Sequence, residues 1–194
     1  MILLISFIGV DGSGKTTFAK KTFDYLTEKG CKVALIKPFE YLFLKNYLKN
    51  KNADNILNQI KKPFYYKFWS FLALVDNIFY YHKKIKPLLK KYDYVICDRY
   101  FYDFVMSFLY HGFIFNWFSK VYLKLLPKPD LTFIMSLKPK LAMKREVDQK
   151  HKYIFYETQD RNYKLINYLG FSIDNSNNLD KNLQKILRLI LKFK

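Results

Sequence analysis

A glycine-rich segment near the start of the chain has the residue types and the spacing of a phosphate-binding loop. Positions 9–16 read Gly-Val-Asp-Gly-Ser-Gly-Lys-Thr and match the pattern G-x-x-x-x-G-K-[S/T]. Glycines at these places let the backbone turn tightly and aim successive N–H groups at an anion, and the helix expected from Lys15 adds its positive N-terminal end. In this pattern the lysine contacts the β- and γ-phosphates of a nucleotide, and the Thr16 hydroxyl binds Mg²⁺.

The loop and the first turn of its helix therefore supply the predicted ATP contacts. They are Gly9, Asp11, Gly12, Ser13, Gly14, Lys15, Thr16 and Thr17. Since the lysine charge would also stabilise the phosphoryl group during transfer, Lys15 is the first candidate catalytic residue.

A carboxylate at the end of a later apolar run is the second candidate on the metal side. Asp98 closes the run Tyr-Val-Ile-Cys-Asp, which reads as a buried strand followed by an acid. An ordinary surface carboxylate at a strand end would give the same pattern. In a chain with a phosphate-binding loop, the pattern favours a second anchor for Mg²⁺ at Asp98.

Alternating strands and helices must position these residues. The apolar runs predict strands at 2–8, 31–37, 94–97, 131–137 and 171–174. Predominantly helical segments are expected between them, at about 15–30, 39–91 with a new start at Pro63, and 101–126. A further helix is expected from about Lys140, with its periodicity broken by the charged run 144–152, followed by helices at 155–169 and, at the end, 179–193. Such alternation implies an α/β fold with a parallel sheet and helices on both faces.

Length and composition fit one domain covering residues 1–194. The chain has 51% hydrophobic residues, enough for one compact core, and no linker or repeat divides it. No apolar run reaches the roughly 20 residues that a membrane-spanning helix needs. The first residues lack the basic segment of a secretory signal, so we expect a cytoplasmic protein without a membrane partner.

The charge and the two cysteines carry little functional signal. The formal net charge of +18 would suit a nucleic acid, an acidic membrane or nucleotides, but the lysines are spread along the whole chain and form no basic block. We therefore read most of them as solvated and expect no nucleic-acid partner. Cys31 and Cys97 lie in short apolar runs and are interpreted as core residues.

The wider sequence narrows the class of phosphate-loop protein. A GTPase would carry Asn-Lys-x-Asp late in the chain, whereas positions 50–54 read Asn-Lys-Asn-Ala-Asp, with one residue too many and ahead of Asp98. The chain instead resembles the thymidylate kinases, a family of nucleoside monophosphate kinases. The similarity rests on the loop at 9–17, on Asp98-Arg99-Tyr100, on the segment from Leu126 to Arg145, and on Lys152-Tyr153 and Gln159-Asp160-Arg161.

The resemblance implies a fold and a reaction. The fold is the three-layer P-loop architecture, with a five-stranded parallel sheet in the order 2-3-1-4-5 and a short lid at about 144–154. The reaction is transfer of the ATP γ-phosphate to dTMP, giving dTDP, with Mg²⁺ as cofactor. In this family the loop carboxylate, here Asp11, contacts the acceptor sugar, and the arginine of the second motif, here Arg99, binds the acceptor phosphate.

The lid is expected to supply a further catalytic cation. Family members without an arginine in the phosphate loop bring this charge from the lid, and the loop here has Gly12 at that place. The charged segment contains Lys144, Arg145, Lys150 and Lys152, of which Arg145 is our preferred candidate. A solvated charge run is the alternative for each of them.

The acceptor side departs from the family pattern. Lys37-Pro38-Phe39 stands where an arginine-containing segment is usual, and a lysine cannot form the planar two-point contact of an arginine. The helix that lines the base pocket in the family here lacks its arginine, although Phe68, Trp69 or Phe71 could stack on a base, or belong to the core or a dimer interface. The predicted acceptor residues are Asp11, Lys37, Phe39, Phe71, Arg99 and Tyr153.

Two other functions remain compatible with the sequence. One is a kinase of the same fold for a different nucleotide or a nucleoside; nucleoside kinases of related fold usually have Glu-Arg-Ser where this chain has Asp98-Arg99-Tyr100, which favours a monophosphate. The other is a nucleotide-binding or nucleic-acid-binding regulator that has kept the loop without turnover.

The aromatic segment from Phe64 to Tyr81 predicts a homodimer that buries part of it.

Overall fold

The computed structural model describes residues 2–38, 63–145, 152–176 and 178–193. Its five strands form one sheet in the order β2-β3-β1-β4-β5, and every pair is parallel. The strands are β1 (Leu3–Gly9), β2 (Val33–Ile36), β3 (Tyr94–Asp98), β4 (Leu131–Ser136) and β5 (Phe171–Asp174). The predicted sheet and its order are confirmed.

The helices lie between the strands, as the alternation indicated. They are α1 (Lys15–Glu28), α2 (Pro63–Tyr80), α3 (Lys86–Leu88), α4 (Phe101–Tyr110), α5 (Asn116–Leu125), α6 (Pro139–Arg145), α7 (Tyr153–Lys164) and α8 (Leu179–Lys192). A π-helical turn at Tyr81–Ile85 joins α2 to α3, and a 3-10 turn at Asn167–Leu169 follows α7. The described part of α2 begins at Pro63, where a new helix start is predicted, and the prediction for 39–62, with Phe39 and the break near 50–54, lies outside the described residues.

The central strand β1 sets the position of the phosphate loop. All seven of its residues are buried, because β3 and β4 flank it and helices cover both faces. In the parallel register Phe7 pairs with Asp98 and Gly9 pairs with Met135, so the carboxyl ends of three strands meet at one edge. A Cβ atom at Gly9 would collide with the Met135 carbonyl oxygen, which explains glycine at the first loop position.

The two faces of the sheet carry separate apolar cores. On one face, α1 and α8 pack residues such as Phe18, Ile186 and Ile190 against Ile5 and Phe7. The other core is built mainly from α4, α5 and α7 and contains Leu4, Ile8, Val95, Tyr100, Phe101, Tyr122 and Tyr156. Helices therefore cover both faces, as predicted. Among the described helices, none is long and apolar enough to cross a bilayer.

Three sequence-based boundaries need correction. The helical stretch expected over 101–126 is two helices, because Gly112 adopts φ 69° and ends the first of them. The helix expected over 155–169 ends at Lys164 and gives way to the 3-10 turn. Strand β2 begins only at Val33, since Gly30 turns the chain at φ 78° and the Cys31 amide bonds back to the Leu26 carbonyl.

That turn also places Cys31 ahead of the strand, not inside it. The thiol is free and half-buried against the α1 and α8 core. Cys97 is free, fully buried in β3, and belongs to the opposite core, as predicted. Burial raises the pKa of the Cys97 thiol far above its ordinary value, which keeps it protonated and unreactive in the folded protein.

Candidate active site

The phosphate loop is shaped by backbone conformations that glycine adopts most easily. Gly12 has φ 74°, in the left-handed region, and a Cβ atom there would lie 2.9 Å from the Ala142 carbonyl oxygen of α6. The loop therefore runs directly beneath the helix that leads into the charged segment after Arg145. A side chain at position 12 would strain the backbone and press against α6.

Lys15 fills the inside of the loop. Its side chain is only 4% exposed, and its Nζ donates hydrogen bonds to the carbonyl oxygens of Gly9 (2.9 Å) and Val10 (2.8 Å). Nζ also lies 3.3 Å from Asp11 Oδ1. Burial, followed by the nearby Arg99 charge, lowers the pKa of Lys15, while the carboxylates of Asp11 and Asp103 oppose this shift. The ammonium is thus held at the phosphate loop by protein oxygens.

The predicted metal residues meet at the end of β3. Thr16 Oγ1 donates a 2.9 Å hydrogen bond to Asp98 Oδ2, and Lys37 Nζ lies 4.0 Å from the same oxygen. The other oxygen, Asp98 Oδ1, is buried and has no hydrogen-bond partner among the described residues. A hydroxyl beside a carboxylate with one unpaired, buried oxygen suits a hard cation such as Mg²⁺.

The described part of the chain holds no cluster of three or more histidine, cysteine or acidic side chains that would bind a metal by themselves. A magnesium ion at Thr16 and Asp98 would therefore complete its octahedral shell with phosphate oxygens and water. The residues present fit that arrangement. Metal and nucleotide would then bind together.

Asp11 is the centre of a hydrogen-bonded network beside the loop. Arg99 Nη2 donates to Asp11 Oδ1 at 2.8 Å, and Gln159 Nε2 donates to Asp11 Oδ2 at 2.9 Å. The Asp11 amide in turn donates to Gln159 Oε1 at 2.9 Å. Burial alone would raise the pKa of Asp11, but the Lys15 and Arg99 charges and the hydrogen bonds from Gln159 and Arg99 hold it well below its ordinary range.

Arg99 leaves the sheet through an unusual backbone conformation. Its φ of 75° is the one positive value at a non-glycine residue in the described chain, and its amide donates to the Phe7 carbonyl oxygen at 2.9 Å. Burial would lower the pKa of Arg99, but the carboxylates of Asp103 and Asp11 raise it above its ordinary value. The guanidinium is a permanent cation held beside the loop, and its strained backbone is typical of a functional position.

Asp11 and Arg99 line a cavity of about 310 Å³ next to the loop. Gln159, Asp103 and Tyr163 add polar groups to its wall, which is completed by Met106, Ser107, Tyr110, His111 and Phe155. The rings of Tyr110 and Phe155 pack edge to face with centroids 4.9 Å apart. A pocket with ring walls and a half-buried cation has the size and chemistry to bind a small aromatic anion.

The structure brings some predicted site residues together and leaves others apart. Asp11, Lys15, Thr16, Asp98 and Arg99 form one connected site, and Lys37 stands at its margin. The loop residue Ser13 is buried beneath it, and its carbonyl oxygen accepts a 2.9 Å hydrogen bond from Asn175 Nδ2. Thr17 is exposed on the first turn of α1.

Three of the remaining predicted residues do not line the cavity. Phe71 is 52% exposed and lies in a separate apolar pocket with Phe113 and Trp117. Tyr153, the first residue of α7, is 40% exposed, and Arg145 is exposed at the end of α6. Phe39 lies outside the described residues, as do positions 146–151 of the predicted lid.

Sequence reasoning did not single out several residues that complete the site. Gln159 was part of the recognised resemblance, but no role was derived for it. Asp103 and Tyr163 were missed, although a carboxylate inside the apolar run 101–106 is a signal of buried polar function. The four-residue spacing of Gln159 and Tyr163 was a second available signal, because it places both on one face of a helix.

Fold and phosphate loop together define a P-loop phosphotransferase. The family model for thymidylate kinase matches residues 7–169. This chain belongs to the thymidylate kinase family.

Individual relatives agree with the family model. The chain is 28% identical to a probable thymidylate kinase of Staphylothermus marinus over 194 residues, covering 94% of this chain and 92% of the relative. It is 33% identical to a probable thymidylate kinase of Sulfurisphaera tokodaii over 143 residues, covering 73% of this chain and 67% of that protein. The crystal structure of thymidylate kinase from Ehrlichia chaffeensis superposes with a TM-score of 0.61 at 20% identity, covering 97% and 98% of the two chains, which supports the shared fold.

Proposed function

We propose that this chain transfers the γ-phosphate of ATP to dTMP and so produces dTDP. One observation carries the proposal beyond family membership: Asp11 belongs to the phosphate loop and also lines the cavity that contains Arg99. The nucleotide site and the acceptor site thus share a residue, so the two substrates would meet at the loop. Direct transfer requires this adjacency.

Each residue of the site has a defined task in this proposal. Lys15 exchanges its contacts with the loop carbonyls for the β- and γ-phosphates, and Arg99 binds the acceptor phosphate with its planar guanidinium. Thr16 and Asp98 would hold Mg²⁺, which would neutralise charge on the phosphates. No covalent intermediate is required, because alignment and charge stabilisation account for catalysis of this reaction.

The outer parts of the site complete the assignment. Arg145, at the end of α6, supplies a cation to the transferred phosphoryl group. The ATP base lies near the turn 174–178, which the contact of Asn175 with Ser13 joins to the loop. Tyr110 and Phe155 form the aromatic wall of the pocket for the acceptor base. Phe71 does not take this role, because it lies in a separate pocket.

A survey of acceptors tests the proposed reaction. The purified chain is given ATP, Mg²⁺ and, in separate reactions, each common ribo- and deoxyribonucleoside monophosphate and thymidine, and ADP release is measured. Turnover highest with dTMP supports the proposal. Turnover with a different nucleotide or with thymidine contradicts the assigned acceptor. No turnover above that of a Lys15→Met variant contradicts the enzyme and favours a regulator.

We also propose that the protein is a homodimer and acts in the cytoplasm. Phe68, Phe71 and Phe79 of α2 are each more than half exposed in the single chain. Association that buries these rings would remove apolar surface from water, at roughly 25 cal/mol per Å². Sedimentation velocity at micromolar concentration should give a dimer, and Phe68→Lys together with Phe79→Lys should give a monomer. A wild-type monomer contradicts the proposal.

A further inference from the structure

A buried carboxylate behind the acceptor site has contacts that the proposed reaction does not explain. Asp103, in the first turn of α4, is 3% exposed and lines the same cavity as Arg99. Its Oδ2 accepts a 2.8 Å hydrogen bond from the Tyr100 amide. Its Oδ1 accepts hydrogen bonds from the Tyr163 hydroxyl and, at 3.4 Å, from the Gly9 amide. One side chain therefore joins the phosphate loop, the start of α4 and helix α7.

Helix capping explains only part of this arrangement. The contact of Oδ2 with the Tyr100 amide belongs to a capping box at the start of α4, for which a neutral glutamine side chain would also serve. The other oxygen points to a different helix and to the loop. A buried charge is costly unless it is paired, so a carboxylate at this place needs a compensating cation.

The compensating charges are the two cations of the site. Burial raises the pKa of Asp103, while the charges of Arg99 and Lys15 favour its ionised form. In the other direction, the carboxylates of Asp103 and Asp11 both raise the pKa of Arg99. Arg99 therefore contacts the loop carboxylate Asp11 directly and shares its cavity with the carboxylate of Asp103 in α4.

Helix α7 supports both carboxylates. Gln159 and Tyr163 lie four residues apart on one face of α7, where the first bonds to Asp11 and the second to Asp103. The two pairs are alike, because in each a neutral side chain of α7 donates a hydrogen bond to a carboxylate. Each carboxylate in turn favours the charged form of Arg99. The packing of α7 is thus linked to both carboxylates that line the cavity with Arg99.

We propose that Asp103 is a positioning residue of the acceptor site, which with Tyr163 fixes the guanidinium of Arg99 in the orientation that receives the acceptor phosphate. This inference rests on the proposed function and adds a residue to it. Two effects of the carboxylate compete. Its charge repels a phosphate dianion, whereas its hold on Arg99 favours the two-point contact with that phosphate. We expect orientation to prevail, because a phosphate contact by arginine depends strongly on geometry.

Asp103→Asn tests which effect is larger. The variant keeps the shape of the side chain and removes the charge. We expect the dissociation constant and the KM for dTMP to rise about 10-fold and kcat to fall, while the KM for ATP stays within about twofold. Tyr163→Phe, which leaves the carboxylate in place, should change the same constants in the same direction by about threefold. An acceptor affinity that is unchanged or improved in both variants overturns the proposal.

A matched variant separates positioning from a general loss of structure. Asp130 Oδ2 accepts a 2.7 Å hydrogen bond from the Leu4 amide at the opposite edge of the sheet. Asp130→Asn removes a carboxylate acceptor away from the site, so it should change stability without changing the constants for dTMP. If Asp103→Asn does not fold, Tyr163→Phe decides, because it removes only one hydroxyl.

A double-variant cycle gives the sharpest test. If Asp103 acts through Arg99, the Asp103→Asn change should have little further effect on dTMP binding in an Arg99→Lys background. Additive effects would show an independent, structural role and contradict the proposal. Binding of dTMP is measured by calorimetry without ATP, so this test does not depend on turnover. If the wild type binds dTMP but shows no turnover, the proposed function is contradicted, whereas the role of Asp103 in binding is not.

Discussion

Thr16 and Asp98, 82 positions apart in the sequence, are joined by a 2.9 Å hydrogen bond from Thr16 Oγ1 to Asp98 Oδ2. The bond connects the first turn of α1 to the carboxyl end of β3, on the strand next to the loop. It orients the carboxylate so that its second oxygen is buried and unpaired in the described structure. The pair is therefore preorganised for a cation at the point where the phosphates would lie.

Replacing Asp98 should weaken the response to magnesium. Asp98→Asn removes the negative charge but keeps the shape, so the Mg²⁺ concentration for half-maximal rate should rise about 10-fold. The rate is measured against Mg²⁺ at fixed ATP. Asp93→Asn is the control, since Asp93 is exposed just before the same strand and its side chain accepts a hydrogen bond from the Lys32 amide. Equal magnesium curves for both variants would contradict the assigned metal site.

Removing the loop cation should abolish turnover while preserving the fold. In Lys15→Met an apolar chain of similar length replaces a buried ammonium, so the protein should remain folded. The kcat should fall by about 10³-fold, because the charge on the transferred phosphoryl loses its principal protein partner. Rates are compared with those of Lys20→Met, which changes an exposed lysine of α1. A Lys15 variant with more than about a tenth of the wild-type rate would exclude the assigned role.

Asp11 should make stability depend on pH in a defined direction. Its pKa is lowered in the folded protein, so it stabilises the fold above its unfolded pKa, near 4, and this contribution is lost as the pH falls toward the folded value. Asp11→Asn should reduce the free energy of unfolding by about 2 kcal/mol at pH 7. The difference from the wild type should shrink steadily below about pH 4.

Urea unfolding at a series of pH values measures this difference. Asp24→Asn is the comparison, because that carboxylate is exposed on α1. A gap between wild type and Asp11→Asn that stays constant from pH 7 to pH 3 would show that the ion pairs with Lys15 and Arg99 do not stabilise the fold.

Substitution by alanine should have different effects at two glycines that have similar φ angles. Gly12 and Gly30 have φ of 74° and 78°, but only Gly12 has a neighbour in the way, the Ala142 carbonyl oxygen. Both variants should lose about 1 kcal/mol of stability from backbone strain. Gly12→Ala should in addition displace α6 from the loop and raise the KM for ATP about 10-fold. Equal KM values for the two variants would show that this contact is unimportant for the nucleotide.

The catalytic cation expected from the lid can be identified by substituting Arg145 and the lysines near it. Arg145→Gln should lower kcat about 100-fold with little change in the KM for ATP, because its charge acts on the transferred group. Lys144→Gln and Lys152→Gln should retain most of the wild-type kcat. Should either lysine variant show the larger loss, the catalytic cation would be that lysine.

The sequence by itself determined the fold and the centre of the nucleotide site. Buried strands appear as continuous apolar runs, and the spacing of the loop fixes Lys15 and Thr16 relative to the strand before them. These are local patterns, and the parallel alternation then brings Asp98 to the same edge as the loop. Small helix errors, such as the missed break at Gly112, arose because a single glycine can also lie within a helix.

The acceptor side was decided only by tertiary structure. The contact between Asp11 and Gln159 spans 148 positions, and that between Asp103 and Tyr163 spans 60. Both depend on how α7 packs over the loop, and periodicity reports which face of a helix is buried but not which polar groups it meets there. Phe71 was predicted to contact the acceptor base because of its residue type. The packing of α2 and α5 instead places it in a separate apolar pocket.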